Sequence, residues 1–161
     1  MEIELCGYKV LIDDDDYEKI IGHNWKIAKT NYIKDKKIYF RYNEHDINNK
    51  TICIYLHRFI LGLTLHDGII TDHINGDTLD NRKSNLRKCS EKQNSMNKKK
   101  YKNNKTGYKG VCYDKSRNKY KAQIQLDKKC LYLGRFINPQ DAYSAYCDAS
   151  KKYHGEYGRI E

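Results

Sequence analysis

The feature that most constrains what this chain can fold into is the stretch from Thr71 to Asn94. It places an acid beside a histidine (Asp72-His73), then a polar loop, a short apolar run and an Asn at the start of a helix. Residues 68–71 predict a strand leading into Asp72. Asn75-Gly76 predicts a tight turn, because Asn and Gly tolerate positive φ. Residues 86–89 predict a second short strand. Ser90-Glu91-Lys92-Gln93 fits a capping box with Ser90 as N-cap, which sets Asn94 in the first helical turn. Neighbours on an extended segment point to opposite sides, so Asp72 and His73 can serve different partners. A neutral His is the usual general base near pH 7. A carboxylate and an amide oxygen, completed by waters and phosphate oxygens, fit a hard divalent cation such as Mg2+.

An isolated Asp-His pair is a weak signal; the asparagines at fixed spacing make it specific. Asn85 lies twelve residues after His73 and Asn94 nine further on, with Asp-His-Ile-Asn-Gly-Asp, Leu-Asp-Asn-Arg, Ser-Asn-Leu-Arg and Gln-Asn around them. This set resembles the HNH nucleases of the ββα-metal (His-Me finger) class, in the His-Asn-Asn variant of phage-borne homing endonucleases. The resemblance implies that His73 activates water, that Asp72 and Asn94 bind the metal, and that Asn85 braces the loop and holds His73. It implies Mg2+ as cofactor, with Mn2+ as a substitute.

Charge points to the partner. The net charge of +10 is unevenly spread: residues 1–71 carry 10 basic and 11 acidic side chains, residues 72–97 carry 5 and 4, and residues 98–161 carry 16 and 6. A basic excess confined to the segment after the motif argues for a polyanion, nucleic acid first. The start of the sequence is acidic and lacks the apolar core of a signal peptide. The apolar run around Phe59 to Leu65 is too short to span a bilayer. An intracellular protein without membrane contact is expected. The six cysteines lie 17 to 47 residues apart without a Cys-x-x-Cys pair. They read as reduced, mostly packed thiols, and no structural zinc is expected.

Before the motif, alternation predicts strands around residues 8–12, 25–28, 38–42 and 52–55, then a short helix over 56–61 ended by Gly62. The four aspartates at 13–16 lack the central Gly and closing Glu of a calcium loop. They read as a solvated turn ahead of a short helix. Trp25 reads as core, and His57 as a packed support rather than a ligand.

Residues 98–107 read as a basic linker, and residues 108–161 as a second unit. Tyr120, Ala122, Ile124 and Leu126 share one strand face; Lys119, Lys121, Gln123 and Gln125 share the other. Asp127-Lys128-Lys129 turns the chain into a third strand. A helix follows, with Asn138 as N-cap, Pro139 at N1, an apolar stripe of Ala142, Ala145, Tyr146, Ala149 and Tyr153, and Gly155 as terminator. Tyr-Lys-Gly-Val at 108–111, Tyr-Leu-Gly-Arg-Phe at 132–136 and the Ala-Tyr helix make this unit resemble the plant ethylene-response-factor (apetala-two type) DNA-binding domain. That family lays its sheet in the major groove. The resemblance implies DNA contacts from Lys109, Gln123, Gln125 and Tyr132, with Lys121 on their face and Arg135 beside it. Cys112, Gln125 and Cys130 stand where that family commonly has Arg, so its GC-rich specificity does not carry over. Gln can pair bidentately with adenine, which favours an A-containing site.

The expected fold is α+β. A small β-rich region leads into a ββα-metal core (domain 1–97, core about 50–97), followed by the linker and a three-stranded antiparallel sheet packed on one helix. The expected function is metal-dependent endonucleolytic hydrolysis of double-stranded DNA. One site per chain favours a nicking monomer over a dimer. The rivals are a non-catalytic DNA-binding regulator and an RNA-directed or nonspecific nuclease.

Overall fold

The computed structural model describes residues 1–28, 37–63, 67–127 and 129–160. Lys128 of the turn at 127–129 and Leu65 of the apolar run lie outside the described residues. Small sheets and short helices make the chain a mixed α and β protein. It divides into two compact units, Met1–Ser90 and Glu91–Glu161.

Among its described residues the first unit holds three small antiparallel sheets. β1 (Glu2–Leu5) pairs with β2 (Tyr8–Leu11) through a tight turn at Cys6-Gly7. The acidic run forms a 3-10 turn (Asp14–Asp16) ahead of α1 (Tyr17–Ile21). β3 (Lys26–Ile27), β4 (Phe40–His45) and β5 (Thr51–Tyr55) make a second sheet in that order. α2 (Leu56–Ile60) follows at once, and Gly62 at φ +61° ends it, as the sequence predicts. β6 (Ile70–His73) and β7 (Leu86–Cys89) form the hairpin around the motif.

Val10, Ile12, Ile20, Trp25, Phe40, Tyr42 and Leu56 form the core of this unit. Full burial of such side chains stabilises by about 1.5–3 kcal/mol each. Trp25 is core, and its indole NH donates to the Ile20 carbonyl at 2.7 Å, so burial leaves no orphaned donor. β3 is shorter than the predicted strand because Trp25 turns into this core, and β4 starts two residues later than predicted and runs three further.

The second unit contains α3 (Glu91–Met96), β8 (Val111–Asp114), β9 (Lys119–Leu126), β10 (Lys129–Phe136) and α4 (Pro139–His154). α3 is tied into this unit: the Met96 carbonyl accepts from the Lys109 ammonium at 2.9 Å and from the Arg159 amide at 3.5 Å. The sheet order is β10-β9-β8, antiparallel, with a bulge between Tyr132 and Gly134. Val111, Ala122, Ile124, Ala142, Tyr146 and Ala149 form the core between sheet and helix. Gly110 sits at φ +75°, and a β-carbon there would lie 2.0 Å from the Tyr146 ring, so close packing as well as backbone conformation demands glycine.

α4 begins at Pro139 and ends at Gly155, as predicted. The Asn138 side chain makes no cap bond; its amide donates to the Asp141 carboxylate at 3.3 Å. The buried stripe runs Ala142, Tyr146, Ala149, Ser150 and His154, leaving Tyr153 exposed. The stripe bends toward Ser150 and His154 because the His154 imidazole reaches the Gln125 carbonyl at 3.0 Å and so pins the last helical turn to β9. Part of the stretch read as linker is folded: Asn104 Oδ1 accepts from the amides of Thr106 and Gly107, and the Thr106 hydroxyl donates to the Val111 carbonyl.

Candidate active site and nucleic-acid interface

The β6–β7 hairpin aligns Asp72 with Arg87 and His73 with Leu86. Between the strands, residues 74–85 form a loop whose polar groups answer one another. Gly76, at φ +73°, donates its amide to the His73 carbonyl at 2.8 Å. Asn75 Oδ1 accepts from the Asp77 amide at 2.7 Å, and Asp77 Oδ1 from the Leu79 amide at 3.0 Å, two successive Asx turns. Asn85 closes the loop. Its Oδ1 accepts from the Asn75 amide at 3.0 Å, its Nδ2 donates to the Asp80 carbonyl at 2.7 Å, and its carbonyl accepts from the Ile74 amide at 2.8 Å. Arg82 grips Asp80 through Nε and Nη2, both at 2.8 Å, and holds that carboxyl below the usual carboxylate range.

The N-terminal region grips the same loop from outside. The Leu11 amide donates to the Leu79 carbonyl at 2.9 Å, and the Asn81 amide donates to the Leu11 carbonyl at 2.8 Å. Asp13 Oδ2 accepts from the Lys83 amide at 2.7 Å, and the Lys83 ammonium lies 2.7 Å from Asp16 and 3.0 Å from Asp15. The acidic run is the turn ahead of α1 that the sequence predicts, with Asp14 and Asp15 exposed, and it is also a clamp on the loop, with Asp16 only 3 % exposed. Its partner lies some seventy residues away in sequence, beyond the reach of any local reading.

His73 is 5 % exposed, and that burial pushes its pKa below the ordinary value despite the opposing pull of Asn81 and Asp72. Its Nε2 faces Asn81 Oδ1 at 3.3 Å. Asn81 Nδ2 donates to the Thr78 carbonyl at 3.1 Å, which fixes the amide so that its oxygen points to the imidazole. The network thus assigns the Nε2–H tautomer and leaves the lone pair on Nδ1. The structure brings Asn81 to the imidazole, and the side-chain bonds of Asn85 go to the loop backbone.

The His57 ring meets His73 edge to face at 5.4 Å between centroids, and Tyr39 contacts both. Burial, then the neighbouring His73 and Arg58, push the His57 pKa down to about 3. α2 is held beside the motif by Arg58, which donates to the Ile69 carbonyl at 2.6 Å and to Asp67 at 2.9 Å.

Asp72, 7 % exposed, lies against a cation. Arg87 Nε and Nη2 donate to its Oδ2 at 3.0 and 2.7 Å. Breaking a buried pair of this kind by removing one partner costs about 3–5 kcal/mol. Asn94 lies half-buried on α3 in the second unit. Among the described residues no group of three or more His, Cys, Asp or Glu is placed to hold a metal. A donor set of one carboxylate and one amide suits a hard cation that keeps most of its water.

Residues 55–96 match the HNH endonuclease family model. The match spans 42 of the 161 residues, from the end of β5 through α3. It contains Asp72, His73, Asn85 and Asn94, together with His57, Asn81 and Arg87. It supports an HNH nuclease, a hydrolase that cleaves DNA. No curated protein and no solved structure matched. Among the described residues no helix is long and apolar enough to cross a membrane.

The open face of the C-terminal sheet collects the other candidate residues. Tyr120, Ala122 and Ile124 pack toward α4, so Lys121, Gln123 and Gln125 face away. Register sets Tyr132 opposite Gln123, and Cys112 and Arg135 opposite Lys121. Arg135 is held by Asp114 at 3.0 Å and lies over the Tyr132 ring at 5.2 Å. Lys109 is placed differently: its ammonium donates to the Met96 and Arg159 carbonyls. Strand alternation reveals the face but cannot reveal where a lysine just outside the strand is anchored.

Sequence reasoning missed Asn81, Arg87 and Tyr39. Arg87 was recoverable by pairing the two predicted strands through the loop. Asn81 stood in the Leu-Asp-Asn-Arg phrase but could not be separated from Asn85 by spacing alone.

Proposed function

We propose that this protein is a metal-dependent DNA endonuclease of the homing type that nicks one strand of duplex DNA by hydrolysing a phosphodiester bond. The observation that carries this reading is His73: a buried imidazole kept neutral by its surroundings, with its tautomer fixed by Asn81, inside the segment that matches the HNH model. His73 Nδ1 takes the proton from the attacking water. Asn81 orients the ring through Nε2, and Asn85 braces the loop. Asp72 and Asn94 would hold the divalent ion, Mg2+ or Mn2+. The chemistry such an ion supplies is stabilisation of charge on the phosphate and the leaving 3′ oxygen.

The open sheet face (Lys121, Gln123, Gln125, Tyr132 and Arg135) positions the enzyme on the duplex, as in an ethylene-response-factor-like domain. Lys109 supports that domain from within. The protein acts as a monomer inside the host cell. Tethering a binding sheet to a cutting unit raises the effective concentration of each at the site.

A supercoiled-plasmid assay with the cognate site, in Mg2+, in EDTA and with His73→Ala, tests this reading. Open circles that need metal and fall about 10²-fold or more in the variant are expected. Wild-type rates in His73→Ala would refute the base assignment. Duplex binding without cleavage in either Mg2+ or Mn2+ would replace the proposal with a DNA-binding regulator.

A further inference from the structure

We propose that Arg87 and the divalent cation compete for Asp72, so that the guanidinium holds the carboxylate before metal arrives and is freed toward the phosphate when metal takes its place. The inference rests on the reading of Asp72 as a metal ligand and adds a partner to it. Asp72 and Arg87 face each other across the β6–β7 pair, and their side chains are 8 % and 12 % exposed. Two guanidinium nitrogens converge on one carboxylate oxygen, Oδ2. A buried carboxylate is costly unless paired or hydrogen-bonded, and Arg87 supplies it with a positive partner. A divalent ion at the same carboxylate brings like charge close to Arg87 and weakens its grip. Asp72 then need not stand as a bare buried anion in either state.

The released side chain is suited to what arrives with the metal. A guanidinium presents paired donors that match phosphate oxygens as well as carboxylate oxygens. Arg87 is anchored beside Asp72, next in sequence to His73, so a short swing keeps it at the reacting phosphate. It would act there as a positioning residue. It also sets a threshold: the site charges with metal only when the ion outcompetes an internal cation.

The test measures Mn2+ binding to the full-length chain without DNA, by electron paramagnetic resonance of the free ion, for wild type, Arg87→Gln, Arg87→Lys and Asp72→Asn. Arg87→Gln is expected to bind Mn2+ about 10-fold more tightly than wild type, because the competing charge is gone. Arg87→Lys should fall between them, since an ammonium keeps the charge but not the two-nitrogen grip. Asp72→Asn should lose the site. If Asp72→Asn loses binding while neither Arg87 variant tightens it, the competition is wrong and the metal-ligand reading survives. If Asp72→Asn binds as wild type does, both fail together.

Should Arg87→Gln not fold, the wild-type chain still decides. Titration with Mg2+ should move the Arg87 Nε–H signal, assigned by its absence in Arg87→Lys, from a hydrogen-bonded to a solvent-exposed position. A signal unmoved at a Mg2+ concentration that saturates the site in the Mn2+ displacement assay overturns the proposal.

Discussion

The two units treat their polar groups in opposite ways. In the first, Asp16, Asp72 and Asp80 are buried against Lys83, Arg87 and Arg82, and His73, Asn81 and Asn85 are buried and bonded to one another or to loop backbone. In the second, the core between sheet and helix is mostly apolar, with Ser150 and His154 at its edge, and Lys121, Gln123, Gln125 and Tyr132 stand on the far face of the sheet. On the proposed function, the difference suits two tasks. A proton acceptor needs one tautomer and one orientation, and only a closed hydrogen-bond network fixes both. A groove-reading face needs donors and acceptors that water can leave, which keeps them at the surface. A network interior is sensitive to protonation and to single deletions, whereas an apolar interior is sensitive to volume.

Acid should separate the units by the widest margin. His57 has its folded pKa depressed to about 3, against an ordinary value of 6.5. Its contribution to stability is complete above the unfolded pKa and is lost as pH falls from about 6.5 toward 3, because the unfolded chain takes up the proton first. At 1.36 kcal/mol per unit the full shift corresponds to an upper bound on the order of 5 kcal/mol. His73, also depressed, adds in the same direction. Trp25 is the only tryptophan and belongs to the first unit, so its fluorescence reports this unfolding. Denaturation midpoints by Trp25 fluorescence should fall across that window, and His57→Gln should flatten the slope. A pH-independent midpoint would remove the buried histidine from the account.

The second unit should break on volume. Gly110→Ala puts a methyl group into the Tyr146 ring at a backbone conformation that disfavours alanine. The expected loss is about 3 kcal/mol, read by chemical denaturation followed on the α4 helical signal. A loss under 1 kcal/mol would mean that Tyr146 and the strand move apart easily, and the tight sheet–helix packing would be misjudged.

Next in size is the loss on His73→Ala. A 10²-fold fall in cleavage corresponds to about 2.7 kcal/mol of transition-state stabilisation. Affinity for duplex DNA should stay within a factor of two, since the proposed binding face belongs to the other unit. A matching fall in affinity would mean that the nuclease unit carries much of the grip on DNA.

Much of this contrast is legible in the sequence, and its limits are physical. Alternation from Lys119 to Leu126 separates the two sheet faces correctly, because a period of two is local. The ends of α2 and α4 are marked by Gly62 and Gly155, whose positive φ is a local need. The hairpin around the motif follows from two apolar runs and an Asn-Gly turn. The clamps are another matter. Nothing near Asp13 announces Lys83, and nothing near Leu11 announces Asn81. Hydrogen bonds between distant segments depend on three-dimensional closure, so the inward-facing polar network is where local reading runs out. The carboxylate of Asp72 illustrates the same limit: its chemistry can be read from one residue, its guanidinium partner only from a register.

The smallest effect expected is also the most selective. Lys121 stands in the middle of the open face, with Cys112 and Arg135 opposite it on the two flanking strands. If it contacts a phosphate, Lys121→Ala should weaken duplex binding by less than about 1 kcal/mol at moderate salt and lower the slope of log affinity against log salt by about 1. The loss should be uniform across sequences, because a phosphate contact carries no base information. Gln123→Ala would differ: a base-edge contact costs affinity at the cognate site and little elsewhere. Cleavage at saturating DNA should be unchanged in both variants, because neither touches the hairpin that carries His73. A Lys121→Ala protein with unaltered salt slope would place the duplex somewhere other than this face, and the outward polarity of the second unit would then need a different ligand.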